Sequence, residues 1–143
     1  MHPHVLDVER AALLLKVGAV VIRRWAQSGE VPGTRIGGQW RFWAPALLTR
    51  VLGPEVAKDA IPPLPGDHVE PGIVDSRELA KLLGVTDRTM ALLMREGQVP
   101  GERVGGTWRT YWPSIRSRLA EGTPLADAGE FAHDSAGERN DSP

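Results

Sequence analysis

The sequence predicts a mainly α protein with small β-hairpins. It reads as two tandem units, residues 5–52 and 73–121, joined by a proline-rich linker (53–72) and followed by an acidic, disordered tail (122–143). Three observations predict this: an internal repeat, the same order of helix and turn signals in both copies, and a charge that changes sign from segment to segment.

The repeat comes first. A shift of 68 residues lays 7–51 on 75–119 without a gap, and 16 of the 45 aligned positions are identical. Most identities fall in one block, where 29–41 (GEVPGTRIGGQWR) faces 97–109 (GQVPGERVGGTWR). Gly, Pro, Trp and Arg recurring at fixed spacing mark a duplicated domain.

Each copy then spells the same elements. Asp7 and Asp75 stand as N-caps, and Asp75 with Glu78 has the spacing of a capping box. First helices follow at about 8–15 and 76–83, with Ala11, Ala12 and Leu15, or Leu79, Ala80 and Leu83, facing inward. Three-residue turns lead to second helices at about 19–28 and 87–96, with Ile22, Trp25 and Ala26, or Met90, Leu93 and Met94, inward. Thr86 is a stronger N-cap than Gly18. Gly29 and Gly97 sit where a left-handed residue ends a helix.

A hairpin comes next. Gly37-Gly38 and Gly105-Gly106 suit a two-residue turn that needs positive φ at both positions. Alternation is read as placing Ile36 and Trp40 on one face and Arg35, Gln39 and Arg41 on the other. Pro45 and Pro113 fit the first turn of a closing helix. Trp25, Trp40, Trp108 and Trp112 are read as core or wing-pinning residues, since a unit this small needs large aromatics. Arg50 and Arg118 are placed on a solvated helix face. Two short helices with a hairpin behind them make a winged helix-turn-helix, here twice over.

The linker holds Pro54, Pro62, Pro63, Pro65 and Pro71. It is read as an extended strut of roughly 60 Å at about 3.1 Å per residue, with 55–60 as a helical extension of the first unit. Residues 5–52 carry seven Lys and Arg against three Asp and Glu, and 73–120 carry eight against five. The segment 53–72 has a charge of −3 and 121–143 a charge of −5. The net charge of −1 therefore conceals two basic units.

Composition narrows the function. The absence of cysteine excludes disulfides, thiolate metal sites and cysteine catalysis. No apolar run approaches the ~18 residues of a membrane span, and the start lacks a signal peptide's apolar stretch. The expectation is a cytoplasmic, nucleoid-associated protein that contacts no membrane. His2, His4, His68 and His133 all fall in leader, linker or tail. The first two are read as part of a flexible terminus, and no enzyme activity, cofactor or metal is expected.

The layout suits double-stranded DNA. A helix enters the major groove and reads base edges, and a basic hairpin grips phosphates or the minor groove. The run A-x-x-L-x-V, a helix, then G-x-V-P-G-x-R-x-G-G-x-W-R resembles the excisionase-type DNA-binding domain of the MerR superfamily. The resemblance covers 6–52 and 74–120, about two-thirds of the chain. It implies sequence-dependent DNA binding, for which transcription regulation is the first reading here and directing recombination the second. The implied contacts are Arg23, Arg24, Gln27, Arg88 and Arg95 on the second helices. On the wings they are Arg35, Gln39, Arg41, Arg103, Thr107 and Arg109.

Two features depart from that pattern. Gly18-Ala19-Val20 lacks the usual hydroxyl at the helix start, and Asp87, Ala91 and Leu92 stand where polar or basic readers are usual. The second unit therefore either grips DNA through its wing or serves assembly or packaging, binding a partner protein or a second copy. The acidic tail is expected to compete with DNA for the basic faces.

Overall fold

The computed structural model describes residues 1–126. Its first half runs β1 (Val5–Leu6), α1 (Val8–Leu15), α2 (Ala19–Ser28), β2 (Thr34–Ile36), β3 (Gln39–Trp43) and α3 (Ala44–Leu52). A further helix, α4, spans Pro54–Ala60. The same order returns as β4 (Ile73–Asp75), α5 (Ser76–Leu83), α6 (Asp87–Arg95), β5 (Glu102–Val104), β6 (Thr107–Tyr111) and α7 (Trp112–Glu121).

Local signals explain most boundaries. The Asp7 carboxylate accepts from Arg10 N at 2.8 Å, and Asp75 with Glu78 closes a reciprocal capping box. The Thr86 hydroxyl accepts from Thr89 N, whereas Gly18 offers α2 no side-chain cap. Gly29 ends α2 in the left-handed region. At the hairpin tips all four glycines have φ between 60° and 83°, a conformation costly for other residues.

Two strands escape the sequence reading. β1 and β4 turn each hairpin into a three-stranded antiparallel sheet with its long strand central, in the orders β1-β3-β2 and β4-β6-β5. They are two and three residues long, too short for alternation to reveal. An apolar pair just ahead of each N-cap aspartate, at the repeat spacing, was the available signal.

The hairpin faces also differ from expectation. Ile36 pairs directly with Gln39 across the Gly37-Gly38 turn, and Arg35 pairs with Trp40. Direct partners project to the same side. Thr34, Ile36, Gln39, Arg41 and Trp43 therefore share one face, while Arg35, Trp40 and Phe42 share the other.

That swap decides the architecture. One core lies within the first half and joins Val8, Ala11, Ile22, Val31, Phe42 and Leu47. The second core is built on Leu79, Leu83, Met90, Leu93, Trp112 and Ile115, and it also takes in Val5 and Ile36. One face of the first sheet is thus part of the second half's core. The halves are docked, not strung apart.

The linker follows suit. Residues 55–60 are helical within α4, but beyond it the chain turns back rather than extending as a strut. His4 Nε2 bonds Pro62 O, and Glu70 meets both His2 and α7. Proline sets local backbone angles, and contact with the buried leader sets the path. The first residues assigned to the tail also pack. Thr34 Oγ1 donates to Thr123 O at 3.1 Å, and Leu125 is buried in the shared core. The remainder of the expected tail, 127–143, lies outside the described residues.

A shared core should melt as one. Thermal unfolding followed by tryptophan fluorescence and by far-UV circular dichroism is expected to give one coincident transition. Ile36→Ala, a buried large-to-small change, should destabilise that whole transition by ~2–5 kcal/mol. Two resolved transitions, with only the first shifted, would refute the shared core.

Candidate nucleic-acid interface

Helix α2 buries Ile22 and Ala26 and leaves Arg23, Arg24 and Gln27 exposed. The periodicity that buries one stripe presents the other. Beside it stands the first hairpin. Asp7, Glu9, Arg23, Gly38, Gln39 and Trp40 line a groove between hairpin tip and helices. The Arg35 guanidinium lies 5.3 Å over the Trp40 ring, and its Nη2 donates to Gly38 O at 3.1 Å. It is exposed and held by a stacked platform.

The hairpin tip also touches the second half. A Cβ at Gly37 would stand 2.8 Å from Thr89 Cγ2 on α6. Arg88 and Arg95 are exposed on α6. Arg103 is exposed on β5, Arg109 is exposed on β6, and Thr107 is half-buried. Arg109 Nη1 donates to Val104 O at 3.0 Å. The structure therefore sets the first hairpin tip beside Arg23 of α2 and against Thr89 of α6, and places the second hairpin in its own sheet.

The departures noted above have structural settings. Asp87 pairs with Arg77 at 3.5 Å, both side chains being largely exposed. Solvent screening limits the energy of such a pair, though its charges offset. Leu92 is 40% exposed and Ala91 is exposed. Arg50 is exposed as expected. The Arg118 side chain is only 12% exposed and pairs with Glu121, in a helix whose end packs on Pro32 and Gly33.

Arg41 is the clearest correction. Read as a phosphate contact, it is 7% exposed and faces protein. Its Nε donates to Leu83 O at 2.7 Å and its Nη2 to Gly84 O at 2.8 Å. Its Nη1 donates to Trp40 O and its Nη2 also to Gln39 Oε1. The guanidinium thus caps the C-terminus of α5, where unsatisfied carbonyls and the negative dipole end attract a cation. His2 N adds a bond to Leu82 O at 3.0 Å. Burial lowers the Arg41 pKa and nearby Asp7 opposes that shift, but a guanidinium remains charged.

The leader histidines are not a flexible terminus. His2 and His4 are 2% and 8% exposed. His2 stacks on Trp112 with ring centroids 5.4 Å apart, and His4 meets Trp43 edge-on at 5.4 Å. Glu70 Oε2 lies 3.0 Å from His2 Nε2 and 2.8 Å from His68 Nε2. Its Oε1 accepts from Trp112 Nε1 and Arg116 Nη1. Sequence reasoning missed this cluster because its members come from leader, linker and α7.

Among the described residues, the ligand atoms of His2, His68 and Glu70 lie within 4.8 Å of one another, a spacing that invites a metal. The tautomer argues for a proton instead. His2 Nδ1 accepts from His4 N at 3.0 Å, which leaves the ring proton on Nε2, facing Glu70. A metal at Nε2 would need the electron pair that this proton occupies, and would move the ring proton to Nδ1, against His4 N–H.

Burial alone would raise the Glu70 pKa, but bonds from His68, His2 and Trp112 prevail and hold it at about 2. Burial lowers the His2 pKa below 6.5, with Glu70 opposing. Both groups favour the folded state above their ordinary pKa values. Glu70's contribution fades as pH falls from 4.5 toward 2, and that of His2 as pH falls from 6.5 through its lowered value.

Comparison with protein families matches residues 5–43 to a helix-turn-helix domain. Searches of curated proteins and of solved structures found no match. Among the described residues no helix is long and apolar enough to cross a membrane.

Arg41→Ala should destabilise the fold by at least ~1.5–3 kcal/mol, the contribution of a hydrogen bond to a charged group. Its salt slope for DNA, measured where the protein stays folded, should equal that of the parent. A phosphate contact would instead reduce the slope by ~0.9. Glu70→Gln should lower stability at pH 7 by ~1.5–3 kcal/mol. In melts from pH 7 to 2 it should flatten the pH dependence below 4.5, and a parallel curve would refute the role given to the carboxylate.

Proposed function

We propose that the chain is a non-enzymatic, sequence-specific double-stranded DNA-binding protein acting as a transcriptional regulator or, second, as an excision factor. The observation that carries this reading is α2. Within the matched helix-turn-helix segment, it presents Arg23, Arg24 and Gln27 together on an exposed face opposite its buried stripe. A helix of this composition fits the major groove, where arginine reads guanine and glutamine reads adenine through paired hydrogen bonds.

The first hairpin supports backbone or minor-groove contact through Arg35 and Gln39. In the second half, Arg88, Arg95, Arg103 and Thr107 are the corresponding candidates, so that half reads as a second winged helix-turn-helix of the excisionase type. Arg41 leaves the set because it caps α5. Arg109 occupies the matching strand position and is treated below.

Docking changes what a binding site should look like. Two units on an extended tether would accept variable half-site spacing. Two docked halves hold their reading heads at one spacing and one angle.

Selection from a random duplex pool should recover sites with a single fixed spacing. Arg23→Ala and Arg24→Ala should each cost ~1–3 kcal/mol per lost base contact and relax specificity. Unchanged affinity and specificity in both variants, or affinity insensitive to salt between 50 and 200 mM, would overturn the reading. Recovered half-sites at variable spacing would overturn the fixed geometry.

A further inference from the structure

The repeat permits a comparison of the two sheets position by position. In the first sheet, Val5, Thr34, Ile36 and Arg41 are 0%, 3%, 2% and 7% exposed, because the second half covers them. The matching positions in the second sheet are Ile73, Glu102, Val104 and Arg109. The registers agree: Val5 pairs with Trp43 as Ile73 does with Tyr111, and Ile36 with Gln39 as Val104 does with Thr107. Yet Ile73 is 74% exposed, Val104 61% and Tyr111 54%. The second sheet thus presents Ile73, Val104 and Tyr111 on the equivalent face, with exposed Glu102 in the place of buried Thr34 and paired with Arg109, and among the described residues nothing docks on it.

The receiving surface has its own repeat. In the second half it comprises the C-terminus of α5, where Arg41 is received, with Thr89 and Leu93 nearby on α6. Its counterpart in the first half is the end of α1, with Val21 and Trp25 on α2. Lys16 adopts the left-handed cap conformation (φ 60°) that Gly84 adopts after α5 (φ 70°). Among the described residues nothing donates to Leu15 O or Lys16 O, the equivalents of the two carbonyls that Arg41 caps. Leu13, matching Lys81 beside the leader, is 77% exposed.

We infer that the protein self-associates head to tail: the uncovered sheet face bearing Ile73, Val104, Tyr111 and Arg109 docks on the α1 C-terminus of a second copy, repeating between molecules the docking seen within one. Arg109 then donates to Leu15 O and Lys16 O, a cation meeting a helix's negative end. The contact is heterologous, since each copy supplies a different surface. It therefore propagates or closes into a ring rather than stopping at a two-fold dimer. The inference does not depend on DNA binding.

Sedimentation of the full chain without DNA tests it. With rising concentration the weight-average mass should climb past twice the 15.6 kDa of one chain. Val104→Asp and Leu13→Asp change exposed side chains, so each should stay folded in a thermal melt and each alone should remain monomeric. Mixed together they should form a heterodimer and go no further, because each retains the surface the other lacks. Arg109→Ala should weaken assembly of the otherwise unchanged chain. A parent monomeric at every concentration would overturn the inference. A dimer unaffected by Leu13→Asp would also overturn it, by indicating sheet-to-sheet pairing. Assembly appearing only after removal of 127–143 would do so too, by making that segment the occupant.

Discussion

The fold turns on one buried cation. Arg41 extends from the central strand of the first sheet into the end of α5 and satisfies two carbonyls there. A helix end buried without partners is costly, and so is a guanidinium removed from water. Each offsets the other only when the halves are docked. Around this contact, Val5 and Ile36 complete the second core, and the Met1 side chain packs on Gly84. A Cβ at Gly84 would stand 2.6 Å from Met1 Sδ.

The repeated sequence therefore occupies two environments. Arginine on the central strand is buried at one copy and exposed at the other. The apolar sheet face is core at one and surface at the other. Pairing and register agree, and on this face the strands differ chiefly by Glu102 in the place of buried Thr34. The difference is positional: the first sheet has a helix end in front of it, supplied by the second half. The second sheet has none within the described chain.

The leader reinforces the docking from another side. His2 gives its backbone N–H to Leu82 O and its ring to Glu70 and Trp112. Glu70 in turn binds α7 through Trp112 and Arg116. Leader, linker and closing helix are thereby tied to one another and to the end of α5.

Local physics made much of this legible from sequence. Caps, three-residue turns, glycine pairs and 3.6-residue periodicity act within a few residues, so helices and hairpins fall close to where the repeat places them. The exposed face of α2 follows from the same periodicity. The β1 and β4 strands, the side of the sheet that Ile36 occupies, the burial of Arg41 and the ordering of His2 were decided by tertiary structure. Each depends on groups distant in the chain: Arg41 on Leu83, His2 on Glu70, Ile36 on Leu93. A duplication shows that two units are alike, but it carries no information about which surface of one meets which surface of the other. That choice belongs to the summed burial of apolar faces and the need to satisfy a helix end, quantities that exist only once the chain has packed.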